Sequence, residues 1–138
     1  MILNKLDSAF SFHQDALRIR AHRQELIAAN IANADTPNYK ARDIDFKTAM
    51  QQATQLSTNG GLSKTSEQHM NGTATGNTST AGLGEPLFRP IIQGSVDGNT
   101  VDMDVERNEF ADNAIRYQAS LQMMNGQIKK MLTAIQGQ

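Results

Sequence analysis

At 138 residues the chain is long enough for one domain and too short for two well-buried ones, and a 5% aromatic content with no Trp means that any large core has to be aliphatic. A net charge of −1 removes any general electrostatic reason to bind nucleic acid or an anionic membrane, and the absence of cysteine excludes disulfides and thiolate metal sites. No apolar run reaches transmembrane length, and the first eight residues hold Asp7 and no long apolar block, so neither a membrane span nor a cleavable secretory signal is expected.

From Ile2 to about Asn33 the apolar residues recur at helical spacing. Leu3, Leu6, Phe10, Leu17, Ile27 and Ile31 form one seam, and Ala9, Ala16, Ile19 and Leu26 run beside it. His13, Arg20 and Gln24 stand where a simple coiled coil would place Leu or Ile. A broad apolar face with polar interruptions suits contact with more than one neighbour better than a strict dimer seam.

The helix pattern stops in the stretch from Ala28 to Phe46. Asn30 and Asn33 precede Asp35, Thr36 and Pro37, and Tyr39 follows at once. Asn competes with the backbone inside helices but caps and turns well. Pro37 has no N–H and pushes Thr36 out of the helical region, so the helix has to end at or before Thr36. Asn38, between Pro37 and Tyr39, is the kind of residue that tolerates a left-handed turn position.

Lys40 to Asp43 read as extended, and Phe46, Ala49, Met50 and Ala53 predict an amphipathic helix of about three turns. From Gln55 to Gly84 Ser, Thr, Asn and Gly dominate. Such a stretch cannot offset an ordering cost of roughly 1 to 2 kcal/mol per residue, so disorder is expected in the free monomer, with order supplied by neighbouring subunits. Leu87, Phe88, Ile91 and Ile92, around Arg89 and Pro90, predict a short edge strand. Asp97, Gly98 and Asn99 predict a tight turn.

The C-terminal segment has the most regular periodicity. Phe110, Ala114, Tyr117, Leu121, Met124, Ile128, Met131 and Ile135 follow alternating steps of four and three, which predicts a helix from near Asp104 to near Gln136 that packs on a partner helix. Asp102 or Asp104 is the expected N-cap and Gly137 the expected stop, while Asp102, Asp104, Glu106, Glu109 and Asp112 near the start, with Lys129 and Lys130 near the end, suit the helix dipole.

These elements define a mainly α fold class, with long N- and C-terminal helices paired as an antiparallel coiled-coil-like rod, an irregular, flexible middle and little β. Three segments result: residues 1–36 as the N-terminal helix, 37–100 as the turn motif, short helix and irregular segment, and 101–138 as the C-terminal heptad helix. Apolar residues such as Ile115 and Leu132 remain on the outside of that rod and invite assembly. Nothing points to catalysis. His13, His22 and His69 show no metal-ligand spacing, and the acidic run from Asp97 to Asp112 lacks the EF-hand pattern. No Gly-x-Ser-x-Gly, phosphate loop or dinucleotide fingerprint is present, so no enzyme activity, cofactor or metal is expected.

The order Asn30, Asn33, Thr36, Pro37, Tyr39 resembles the N-terminal signature of the bacterial flagellar axial proteins, which form the rod, hook and hook-associated structures. That family usually has Gly where this chain has Asn38. The resemblance covers roughly residues 1–46 and 97–138. The short length, with the stretches from Asp35 to Phe46 and from Asp97 to Arg107, is similar to the proximal-rod members. It implies that terminal helices line the inner core of a tubular axis and that the five motif residues redirect the chain. Implied partners are further copies of the chain, other rod subunits such as FlgC, and the FliE adaptor and export gate at the rod base. Nucleic acid and direct lipid contact are not implied. The family also implies uncleaved export through the flagellum's own channel, a periplasmic rod location, and transmission of torque around a conduit for exported chains. A soluble helical adaptor or chaperone-like module of the export apparatus is the competing expectation.

Overall fold

The computed structural model describes the backbone of residues 2–58, 83–90 and 95–137 and, among these, the side chains of residues 10–55, 83–90 and 95–137. Helix α1 spans Ile2–Ala32, β1 Arg42–Asp43, α2 Phe46–Thr58, β2 Leu87–Phe88 and α3 Met103–Gln136. At 1.5 Å per residue the two terminal helices are about 46 and 51 Å long. Contacts between α1 and α3 run in opposite directions: Arg20 meets Asn113, Arg23 meets Glu109 and Asn30 meets Glu106, so the helices are antiparallel.

The ends of these elements follow from local chemistry. Helix α1 stops four residues before Thr36, and Asn33 closes its last turn by donating Nδ2–H to the carbonyl of Ala29 at 2.8 Å. Asn38 adopts φ +60°, the left-handed position expected of it. Asp102 caps α3 by accepting the amides of Asp104 and Val105, and Gly137 ends it at φ +71° with its N–H on Thr133. Helix α2 continues to Thr58, past the point where the composition predicts regular structure to end. The rest of the Gly- and Ser-rich stretch, residues 59–82, and the strand residues Ile91 and Ile92 lie outside the described residues.

The two short strands pair antiparallel, Arg42 with Phe88 and Asp43 with Leu87. Both side chains of β2 are exposed, Phe88 by 70%, so apolar burial does not hold this strand. The core is small and lies where α1, β1 and α2 meet: Ile19, Ile44, Ala49 and Ala53, flanked by Leu26, Phe46 and Met50. Gly84 enters this layer at φ +83°, and a Cβ there would lie 2.7 Å from both the Ala49 Cβ and the Ile44 Cγ2. Only glycine lets the returning chain approach so closely.

Candidate functional site

The fully buried residues of α3 are polar. Glu106, on α3, is 1% exposed and Asn113, one heptad later, is likewise 1% exposed; they are the two buried residues of that helix. Across from them, Asn30 is fully buried on α1. Its Nδ2 donates to the Arg42 carbonyl at 2.8 Å and to Glu106 Oε2 at 3.3 Å, while its Oδ1 accepts the Arg42 amide at 3.1 Å and the Tyr39 hydroxyl at 3.4 Å. One side chain thus ties the end of α1 to β1, to α3 and to the turn motif.

The other motif residues shape the turn. Thr36 Oγ1 donates to Asn33 Oδ1 at 3.1 Å, the Tyr39 amide donates to the Thr36 carbonyl, and the Asn38 amide to the Asp97 carbonyl. Pro37 and Thr36 are exposed. Asn99 fastens the turn to the approach of α3: its Nδ2 faces the carbonyls of Asn33, Ala34 and Thr36 at 2.7 to 3.0 Å, and its Oδ1 accepts the Val101 amide. Gly98 permits the contact, since a Cβ at its φ of +71° would sit 2.7 Å from Asn38 Oδ1.

Five ionic groups complete the joint. Arg23 of α1 makes a two-pronged contact with Asp43 of β1 at 2.8 and 2.9 Å and reaches Glu109 of α3 at 2.7 Å. Arg89, just after β2, bridges Asp43 at 2.8 Å and Glu106 at 3.0 Å. Three carboxylates against two guanidinium groups leave one excess negative charge. Burial alone would raise the Asp43 carboxyl, but hydrogen bonds from Arg23, the Ile44 amide and Arg89 hold it below its ordinary 3.8. At Glu106 burial prevails over the Asn30 hydrogen bond and the Arg89 charge, and the carboxyl is pushed above 4.5. The hydrogen bond to Asp43 raises the already high Arg23.

The expected packing residues are distributed unevenly. Ile27 is fully buried; Phe10, Leu17 and Ile31 are half-buried; the side chains of Leu3 and Leu6 lie outside those described. Taking 100° per residue, the heptad series of α3 is centred about 40° around the helix from the direction of Glu106 and Asn113. Tyr117, Met124 and Met131 lie nearest that direction and are half-buried, Phe110 and Ile128 lie farther round and are exposed, and Leu121 and Ala114 lie farthest round and are half-buried. Ile135 at the last turn is exposed. Among the described residues no group of His, Cys, Asp and Glu is arranged to hold a metal; His22 pairs with Glu25 and His13 stands edge-on to Phe12. His69 lies outside the described residues.

Six residues of this joint, Arg23, Asp43, Arg89, Asn99, Glu106 and Asn113, were not singled out as a site from the sequence. A signal was present: Arg20 and Gln24 break the α1 seam, and Glu106 and Asn113 are a heptad apart on the opposing helix. Polar interruptions on both of two antiparallel helices find each other.

This arrangement defines a structural protein: two terminal helices locked antiparallel by a polar joint, with an apolar flank left open. Comparison with known proteins agrees. Residues 10–40 match the family described as Flagella basal body rod protein. Over 98% of its length the chain is 50% identical to flagellar basal body rod protein FlgB of Escherichia coli (strain K12), covering 98% of that protein, and 47% identical to FlgB of Yersinia enterocolitica with the same coverage. FlgB of Cereibacter sphaeroides (strain ATCC 17029 / ATH 2.4.9) is 47% identical over 91% of this chain and 92% of its own. The chain belongs to the FlgB family of flagellar basal body rod proteins.

Proposed function

We propose that this chain is a structural subunit of the proximal rod of the flagellar basal body, built into a tubular drive shaft through its terminal helices. The observation that carries this reading is the open flank of a locked helix pair: Phe110, Ile128, Leu132 and Ile135 stay exposed on a helix whose other side is already satisfied. A flank of that kind needs neighbours. Contacts between unlike faces that do not close into a ring generate a helical tube, whose wall transmits torque and whose bore conducts exported chains. The polar joint suits torque transmission, because directional hydrogen bonds and ion pairs resist sliding of one helix past the other. Further rod subunits, FlgC among them, and the FliE adaptor and export gate are its neighbours in this reading. In this reading the rod lies in the periplasmic space and is reached through the flagellum's own export channel.

Mass spectrometry of detergent-extracted, salt-washed hook and basal-body particles tests the proposal. The chain is expected at a fixed ratio to the other rod components. Recovery from the soluble fraction alone would replace this reading with that of a transient export adaptor.

A further inference from the structure

Residues 83–90 cross the joint as a strap, and apolar burial does not hold its strand there: Leu87 is 57% and Phe88 70% exposed. The root of the strap is Gly84, fitted against Ala49 of α2 and Ile44. Its far end is Arg89, whose amide donates to the Ala41 carbonyl at 3.0 Å and whose guanidinium reaches Asp43 of β1 and Glu106 of α3. The stretch between is stiff, because Pro86 and Pro90 fix their own φ and hold the preceding Glu85 and Arg89 extended. Pairing with β1 turns the amide positions of residues 86, 88 and 90 away from that strand. Two of the three are proline, so a further strand would find a single amide there, that of Phe88. The strap has one seat, which is the joint.

What makes that seat is charge. On the N-terminal side of the joint Arg23 and Asp43 cancel each other. Helix α3 adds two carboxylates, placing Glu109 on Arg23 and carrying Glu106 into the interior. A buried carboxylate without a counter-charge strongly opposes folding, and Asn30 gives Glu106 only a neutral hydrogen bond. Arg89 is the cation that meets it. Without α3, Asp43 is already answered by Arg23 and the site for Arg89 is half built. With α3 in place the site is complete, and the entry of Arg89 halves the excess negative charge.

We propose that the strap is a conformational latch that closes on the paired helices: docking of α3 supplies Glu106 and draws Arg89 in, and Arg89 in turn holds α3 against α1. The order of residues 85–90 then follows the pairing of α1 with α3, although the root of the strap lies against α2. Such coupling is reciprocal, so each partner weakens when the other is loosened. The latch belongs to the single chain and does not rest on the rod reading.

Hydrogen exchange of the isotope-labelled full chain, read amide by amide by NMR, tests the coupling in both directions. Asn113→Ala removes the hydrogen bonds from α3 to the Arg20 carbonyl and to Gln24, and it touches no residue of the strap. This variant is expected to speed exchange of the Arg89 amide by about 10-fold or more, while the Ala49 amide, bonded to Asp45 at the start of α2, stays within about 2-fold of the parent. An Arg89 amide that is unprotected in the parent, keeps its parental rate in the variant, or speeds up no more than Ala49 overturns the proposal. In the other direction, Arg89→Gln is expected to speed exchange of the Glu106 amide, bonded to the Asp102 carbonyl at the start of α3, by about 5-fold or more. Parental exchange at Glu106 in that variant overturns it as well.

Discussion

Glu106 is the residue whose chemistry the joint treats least kindly. It is buried, it answers to Arg89 and Asn30, and the carboxylates of Asp43 and Glu109 oppose its charge. A carboxyl raised in the folded state contributes its full stability below its unfolded value and loses it as pH rises through the folded one. Asp43 behaves in the opposite sense: its contribution is present above its unfolded value and is lost as pH falls through the depressed folded one. The variant Glu106→Gln removes the penalised charge and keeps most of the shape. The melting temperature of Glu106→Gln relative to the parent is therefore expected to rise between about pH 4 and pH 7, measured by circular dichroism melts across that range. A difference that falls with pH would mean that Arg89 outweighs the burial of Glu106.

Among the elements, the heptad series on α3 separates the two kinds of packing. Leu121 lies far round the helix from the direction of Glu106 and Asn113 and is half-buried. An unpaired carboxylate there costs roughly 3 kcal/mol or more once neighbours cover it, and much less in the free chain, where water still reaches it. Leu121→Asp is thus expected to leave the isolated chain helical and to abolish its incorporation, scored by motility and by basal-body composition; normal rods from that variant would show that the seam is not a packed surface. The elements themselves were legible in the sequence because their signals are local. Apolar spacing gave α1, α2 and α3, Pro37 with Asn33 gave the turn, Gly137 gave the C-terminal cap of α3, and the N-cap was narrowed to Asp102 or Asp104, of which Asp102 takes the place. The joint was not legible, because it is assembled from long-range partners: Arg23 to Glu109 spans 86 residues and Asn99 to Asn33 spans 66. No periodicity encodes which arginine meets which carboxylate. The heptad pattern likewise announced a partner for α3 without saying that α1 would take only one side of it.

At the scale of the molecule, the described residues bury little apolar surface. Its buried apolar residues among those described are three isoleucines and four alanines, and the remaining buried positions are Asn30, Asn99, Glu106 and Asn113. Exposure of apolar surface raises the heat capacity on unfolding and exposure of polar surface lowers it. Differential scanning calorimetry of the isolated chain is accordingly expected to give a heat-capacity increment below the usual value of about 12 cal/mol/K per residue, and an ordinary or larger increment would mean that the polar joint is not the main thing lost on unfolding. A small increment flattens the stability curve, so the subunit's fold changes little between a cold and a warm environment. Contacts made through the apolar flank behave differently, since burial of such surface weakens on cooling. A shaft built this way keeps the shape of each part nearly independent of the weather and lets temperature act on the fit between them.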